Sequence, residues 1–245
     1  MAERPTTPPG HSAPAGVTIR ELATPAEHHE AAALFDRVWG AARPLVPLEL
    51  VRAIAHAGGY VAAAYRDDLI VGASLGFLGR HEGQPALHSH VTGIVAEARD
   101  AGVGRALKLH QRAWAAAHGL PWVTWTFDPL VRRNARFNVH VLGARVHEYL
   151  VDFYGPIDDE INLRDESDRL LVAWATDGSR PERPPGDGRD RRLVPTPEDI
   201  VALRRADPAA ARDWRRRLRA GLGGALAEGF VVVDVTSGGD YLLER

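Results

Sequence analysis

The chain has 245 residues, 45% of them hydrophobic, enough to bury one substantial core or one core with a smaller appendage. Thirty Lys and Arg against 32 Asp and Glu give a formal net charge of -2, so nothing general points to nucleic acid or an anionic membrane as partner. Cysteine is absent, which excludes disulfides, thiolate metal ligands and a cysteine nucleophile, and no run of about 18 apolar residues offers a membrane span.

Residues 1–16 are rich in Pro, Thr, Ser and Gly where a secretory signal needs an apolar stretch, so a disordered tail on a cytoplasmic protein is expected. Residues 17–22 read as a strand, and 25–39 carry Leu34, Phe35 and Val38 at helical spacing behind a Thr24 cap. Residues 47–57 read as a second helix ended by Gly58 and Gly59, and 60–65 with 70–78 as a hairpin around Asp67 and Asp68. A strand over 87–95 precedes a helix with Val103, Ala106, Leu107 and Trp114 on one face, stopped by Gly119 and Pro121. Residues 122–127 are β-rich, 132–142 read as a short helix, and 146–153 and 169–174 as strands. A Pro, Gly, Arg and Asp stretch follows, then one helix marked by Ala211, Trp214, Leu218, Leu222 and Leu226, and a hairpin over 230–236 and 241–243. The predicted organisation is a tail (1–16), a main domain (17–176), a linker or surface loop (177–192) and a helix-hairpin extension (193–245) too small to fold alone and expected to dock on the main domain. The fold class is α/β (α+β).

The chemistry concentrates between residues 94 and 105, where a strand ends, a glycine loop follows and a helix begins. Gly102 and Gly104 lack the Cβ atoms that would keep a ligand from the backbone, so their N–H groups can form an anion nest reinforced by the helix dipole. A pyrophosphate suits such a cradle. The order Arg99-x-x-Gly102-x-Gly104 between an apolar strand and an amphipathic helix resembles the signature of the Gcn5-related N-acetyltransferase (GNAT) family. The resemblance continues through Asn134-Ala135 and the close Leu142-Gly143-Ala144. The segments His88-Ser-His90-Val-Thr-Gly93, Trp125-Thr-Phe-Asp128-Pro-Leu130, Arg133-Asn134-Ala135, Phe153-Tyr154-Gly155 and Asp168-Arg169 look like a branch of predicted acetyltransferases.

That resemblance implies a mixed, mostly antiparallel sheet, splayed at the acyl-CoA site and flanked by helices. It implies acetyl-CoA or another acyl-CoA as co-substrate, held by Ile94, Val95, Arg99, Ala101, Gly102, Val103, Gly104, Arg105, Asn134 and Asn138, and direct transfer to the amine of a small molecule such as an amino acid. Succinyl-CoA is permitted as donor, with Arg133 or Arg136 on its distal carboxylate. An amine of pKa near about 10 must lose a proton before attack, and His90 is the candidate base, oriented by Asp128. His88, Trp125 and Tyr154 are expected on the acceptor side. The family's usual acid, a tyrosine four residues before the closing glycine, is replaced by Val139, which leaves Tyr149, His140 or water. A non-catalytic acyl-CoA sensor is the alternative class. The match of Gly72-Ala-Ser74-Leu-Gly76 to a nucleophile elbow gives a remote serine-hydrolase reading, against which the following residues show no helical period. No metal is expected, since spacing gives His88 and His90 no third ligand; no nucleic acid or membrane partner is expected, and a homodimer is allowed.

Overall fold

The computed structural model describes residues 13–40, 43–179 and 190–245. Most of the expected tail and the middle of the expected linker therefore lie outside the described residues. The elements in order are β1 (Val17–Glu21), α1 (Pro25–Trp39), α2 (Leu48–His56), β2 (Tyr60–Arg66), β3 (Leu69–His81), β4 (Gln84–Ile94), α3 (Val103–Ala117), β5 (Trp122–Phe127), α4 (Arg132–Ala135), β6 (Arg145–Leu150), β7 (Arg169–Ala175), β8 (Arg191–Val194), α5 (Ile200–Ala206), α6 (Pro208–Leu218), α7 (Gly224–Ala227), β9 (Val231–Val235) and β10 (Tyr241–Glu244). A seven-stranded sheet in the order β1-β2-β3-β4-β5-β7-β6 is mixed and mostly antiparallel, and a second sheet has the order β8-β10-β9. The expected α/β class is what the chain adopts. Packing divides it into two compact units, Met1–Val123 and Thr124–Arg245.

In the first unit α1 begins with a capping box, Thr24 accepting from the Glu27 amide while Glu27 accepts from the Thr24 amide. Burial would raise the Glu27 carboxyl, but the Thr24 and Ala23 amides and Arg20 bring it down to about 2. Strands β3 and β4 carry a helix on each face. A Cβ on Gly93 would meet Trp39, Leu34 and Phe35 of α1, whereas one on Gly72, paired with Ile94, would meet Leu107 of α3. Leu34, Phe35, Val61, Ala63, Leu75, Val91, Val103 and Leu107 make the core of this unit.

One register shift matters for function. Leu75 pairs with Val91 but Gly76 pairs with Ser89, so His90 is an extra residue in β4, a β-bulge. Gly76 is required opposite it, because a Cβ there would lie 2.9 Å from the His88 carbonyl oxygen.

In the second unit the C-terminal elements do pack on the segment that follows β5. The helix expected over 132–142 is α-helical only to Ala135 and π-helical over Arg136–Val141, where Arg136 Nη1 donates to the Val235 carbonyl (3.1 Å) and His140 Nδ1 meets Asp234 (2.9 Å). Tyr241, fully buried, donates to the Pro129 carbonyl at 2.8 Å. The strand expected to reach 153 stops at Leu150, because Asp152 takes a positive φ of 44° and residues 152–154 bond to Ser167 instead. The expected C-terminal helix is α6, capped by Asp207 with Pro208 behind it and continued through a π-helical stretch, Arg219–Gly223, into α7; α5, capped by Asp199, precedes it and was not expected. Both caps are Asp residues just ahead of the first turn, and β8 was not expected from its sequence.

An ion cluster joins these helices to the end of β5. Asp128 Oδ2 accepts from Arg204 Nη2 and, at 3.5 Å, from Arg215 Nη2, while its Oδ1 accepts from the Leu130 amide (2.9 Å). Asp165 Oδ2 accepts from Arg204 Nε (3.1 Å) and from Arg215 Nε and Nη2 (3.1 and 2.9 Å). Arg204, Arg215, Asp128 and Asp165 have side chains between 2% and 8% exposed, so removing one member leaves a charge stranded away from water. Asp128→Ala is therefore expected to destabilise the folded chain by about 3 to 5 kcal/mol. Equilibrium urea unfolding followed by tryptophan fluorescence measures this, and a loss within about 0.5 kcal/mol would contradict it.

Candidate functional site

The glycine loop and the histidines belong to the first unit. Strand β4 ends at Ile94, Val95 is buried with its amide on the Val71 carbonyl (3.1 Å), and a short 3-10 turn, Ala96–Ala98, leads to Arg99. Arg99 is exposed, with Nε toward the Ile94 carbonyl at 3.4 Å. Asp100 and Gly102 both take positive φ, 62° and 77°, on either side of exposed Ala101. Alternation of this kind turns successive amides to one side. Helix α3 then starts with Val103, buried against the core, and exposed Arg105; no side chain caps it and its first turn holds no acid. Its first N–H groups have no intrahelical acceptor, so the positive end of a 15-residue helix stays available to an anion.

Gly104 tests whether that availability is incidental. A Cβ there would lie 3.7 Å from Ile94, an ordinary contact, so internal packing does not call for glycine. What glycine does supply is bare backbone at the helix start. The loop therefore offers an anion the backbone amides of Gly102, Val103, Gly104 and Arg105, with the exposed Arg99 and Arg105 beside them.

On β4, His88 pairs with Phe77, and the bulge brings His90 to the same ring: the Phe77 centroid lies 5.1 Å from His88 and 5.8 Å from His90. Burial pushes the His88 imidazole down, with His90 and Lys108 adding to it, to about 4. Burial also lowers His90, although its side chain keeps contact with solvent. Both rings are therefore neutral at pH 7 and able to accept a proton.

The remaining candidates belong to the second unit, where most have internal partners. Trp125 is buried edge-on to Trp174 and donates to Asn138 Oδ1 at 3.1 Å. Asn134 is exposed on α4, and so is Arg133. Tyr149 donates to Asp168 Oδ2 at 2.7 Å, and burial together with that carboxylate holds its phenol proton far above the usual range. Arg219 completes the Asp168 pair with Nε and Nη2 at 2.9 and 2.7 Å. Tyr154 is exposed, its OH 3.1 Å from Thr126 Oγ1, with the Phe153 ring edge-on at 4.6 Å. Asp128 has both oxygens engaged. Burial would raise its carboxyl, but Arg215, Arg204 and Arg169 outweigh that and hold it below the ordinary value. Val139 is buried. Ser74 lies in mid-strand in β3, not at a strand-to-helix turn, and its Oγ pairs with Thr92 Oγ1 at 2.8 Å, so the context of a nucleophile elbow is missing.

Sequence reasoning missed Lys108, Ser89 and Gln111 behind β4, and the arginines around Asp128. The row Gly104, Lys108, Gln111 at i, i+4, i+7 was the available signal.

The architecture matches solved structures over nearly their whole length. A crystal structure of aminoglycoside 6'-acetyltransferase type Ii aligns with a TM-score of 0.52 at 15% identity over 68% of this chain and 99% of that one. The fold is that of the GNAT acetyltransferases. The ribosomal-protein-S5-alanine acetyltransferase of Vibrio fischeri gives 0.52 at 15% identity, covering 68% and 96%. Arabidopsis thaliana Naa50, solved with a bisubstrate analogue containing CoA, gives 0.51 at 18%, covering 65% and 98%. No family model and no curated sequence matches the chain.

Gly104→Asp separates folding from anion binding. A carboxylate in the first turn of α3 favours the helix dipole and has room for its Cβ, yet repels phosphate. The variant is expected to keep the wild-type Tm within a few degrees while losing the thermal shift that CoA gives the wild type; retained CoA stabilisation would contradict the cradle.

Proposed function

We propose that the protein is an acyl-CoA-dependent N-acyltransferase that moves an acetyl group from CoA to the amine of a small molecule, an amino acid being the first choice of acceptor. The observation that carries this reading is the uncapped start of α3 with Gly102 and Gly104, set in a GNAT fold and followed along β4 by neutral imidazoles. When bound, the acyl-CoA supplies an activated thioester. Everything else falls to the chain: the α3 amides, Arg99 and Arg105 hold the diphosphate, and His90 takes the ammonium proton as the amine becomes a nucleophile.

His90 is preferred to His88 for that step. It is the more exposed of the two, and it sits at the bulge where β4 leaves ladder hydrogen bonds unmade. The revised role of Asp128 is structural, since its lone pairs are committed to Arg204, Arg215 and the Leu130 amide. Tyr149 likewise has its proton committed to Asp168, so water protonates the departing thiolate, a good leaving group with thiol pKa of about 8.5. Tyr154 and Phe153 form an exposed aromatic edge in the second unit. Arg136 is occupied by the Val235 carbonyl, so a succinyl donor would rely on Arg133.

The buried Val139 and the engaged Tyr149 favour one second reading, an acyl-CoA sensor that binds without turnover. Thiol release from acetyl-CoA and succinyl-CoA with a panel of amino acids, amino sugars and polyamines separates the two. An enzyme should lose about 100-fold in kcat on His90→Gln with CoA binding intact. Because the base must be neutral and its pKa lies below the usual 6.5, kcat/KM should be flat above neutrality and fall as pH drops through a midpoint under 6.5. CoA binding without thiol release from any pair would establish the sensor.

A further inference from the structure

Lys108 is the chain's only lysine, and it is 6% exposed on the face of α3 that meets the sheet. Its Nζ donates to Ser89 Oγ at 2.8 Å and to Gln111 Oε1 at 3.3 Å. Gln111 Nε2 donates in turn to Ser74 Oγ (3.2 Å), which shares a hydrogen bond with Thr92 Oγ1 (2.8 Å). This chain of polar contacts grips β4 on both sides of the bulge, at Ser89 just before His90 and at Thr92 two residues after it. Regular alternation would put Ser89 and Val91 on one face. Instead Ser89 and Thr92 share the α3 face, while Val91 joins the core on the other side.

An ammonium in this place is costly: burial brings Lys108 down to about 7, and methionine would fill a similar volume without the penalty. What lysine adds is the donor that reaches Ser89. We propose that Lys108 is a positioning residue whose hydrogen bond to Ser89 fixes the β4 bulge and so presents the His90 ring beside Phe77. The catalytic part of this inference rests on the reading of His90 as base; the structural part does not. The other titratable groups on elements packed against α3 are Arg20 and Glu21 of β1, Glu21 on Trp114 Nε1 (2.9 Å), Tyr60, Tyr65 and Arg66 of β2, with the Tyr60 phenol on His110 Nδ1 (2.8 Å), Arg80 and His81 of β3, and His88 and His90 of β4; Arg105, His110 and Arg112 lie on α3 itself.

The test uses the full chain with Lys108→Met, Ser89→Ala and the double variant, each removing the same hydrogen bond from one end or both. NMR of the histidine rings reads the position of His90 without any activity. Its ring protons carry a ring-current shift from Phe77, and all three variants should lose most of it. In turnover, each single variant should lower kcat roughly ten- to a hundred-fold, with KM for acetyl-CoA within about two-fold, and the double variant should be no worse than the more impaired single one. If Lys108→Met does not fold, Ser89→Ala decides. Folded variants that keep both the His90 shift and wild-type kcat overturn the proposal. A wild type that turns over no acyl-CoA would instead overturn the enzyme reading, and the NMR result would still decide the role of Lys108.

Discussion

Strand β4 has to serve two helices at once, and that constraint shapes the first unit. One face must offer α1 a smooth apolar surface, which it does with Val91 and with Gly93, whose missing Cβ admits Trp39. The other face must offer α3 partners for a polar row, Lys108 and Gln111. A strict period of two over residues 88–94 would put Ser89 with Val91, and so set a polar contact and a core contact on the same side. The extra residue at His90 resolves the conflict by resetting the alternation in mid-strand. The displaced residue is then the one aimed at neither helix, and it is a histidine. Gly76 on β3 is the counterpart of this arrangement, because the bulge brings the His88 carbonyl too close for any side chain opposite.

In the second unit buried charge is added to an apolar core that includes Leu130, Leu170, Val172, Leu218 and Phe230. Residues 124–245 contain short strands and short helices, two of them interrupted by π-helical turns, and none would hold together on helical propensity. Asp128 and Asp165 gather Arg204 and Arg215, and Asp168 gathers Arg219 and Tyr149, so α5, α6 and the π-helical stretch after α6 are attached by buried carboxylates as well as by apolar area. These interactions are conditional on ionisation. The lowered pKa of Asp128 and Asp168 means their contribution is complete above the ordinary carboxylate value and is lost as pH falls through and below it. Such bonds also fix partners in a way that apolar contacts do not, which suits an extension that must seat α5 and α6 in one register.

How far the sequence could be read follows from the same division. Elements of the first unit carry long, clean periods with caps at their ends: α1 runs over the expected 25–39 because Thr24 and Gly40 bound it, and α3 over 103–117 because Gly102 and Gly119 do. The glycine cradle was legible because its signal is local, a strand end, two glycines and a helix start within a dozen residues. The bulge was not, since a pattern of His, Ser, His, Val and Thr is equally consistent with unbroken alternation and only pairing with β3 reveals the extra residue. Asp128, Trp125, Asn138 and Tyr149 look like site residues in sequence because they are polar or aromatic and flank β5 and β6. Their partners, at separations of 13 to 87 residues, are what give them internal work, and no local pattern announces such pairs.

The two readable features and the unreadable one meet in α3. Its first turn is kept free of caps and acids, and four residues after Gly104 the same helical row places Lys108 against β4. A 15-residue helix thus has an uncapped, acid-free start and, one turn along, a hydrogen bond to the neighbouring strand. On the proposed reading of His90 as base, the start of α3 and that base are linked by about one turn of helix and one hydrogen bond.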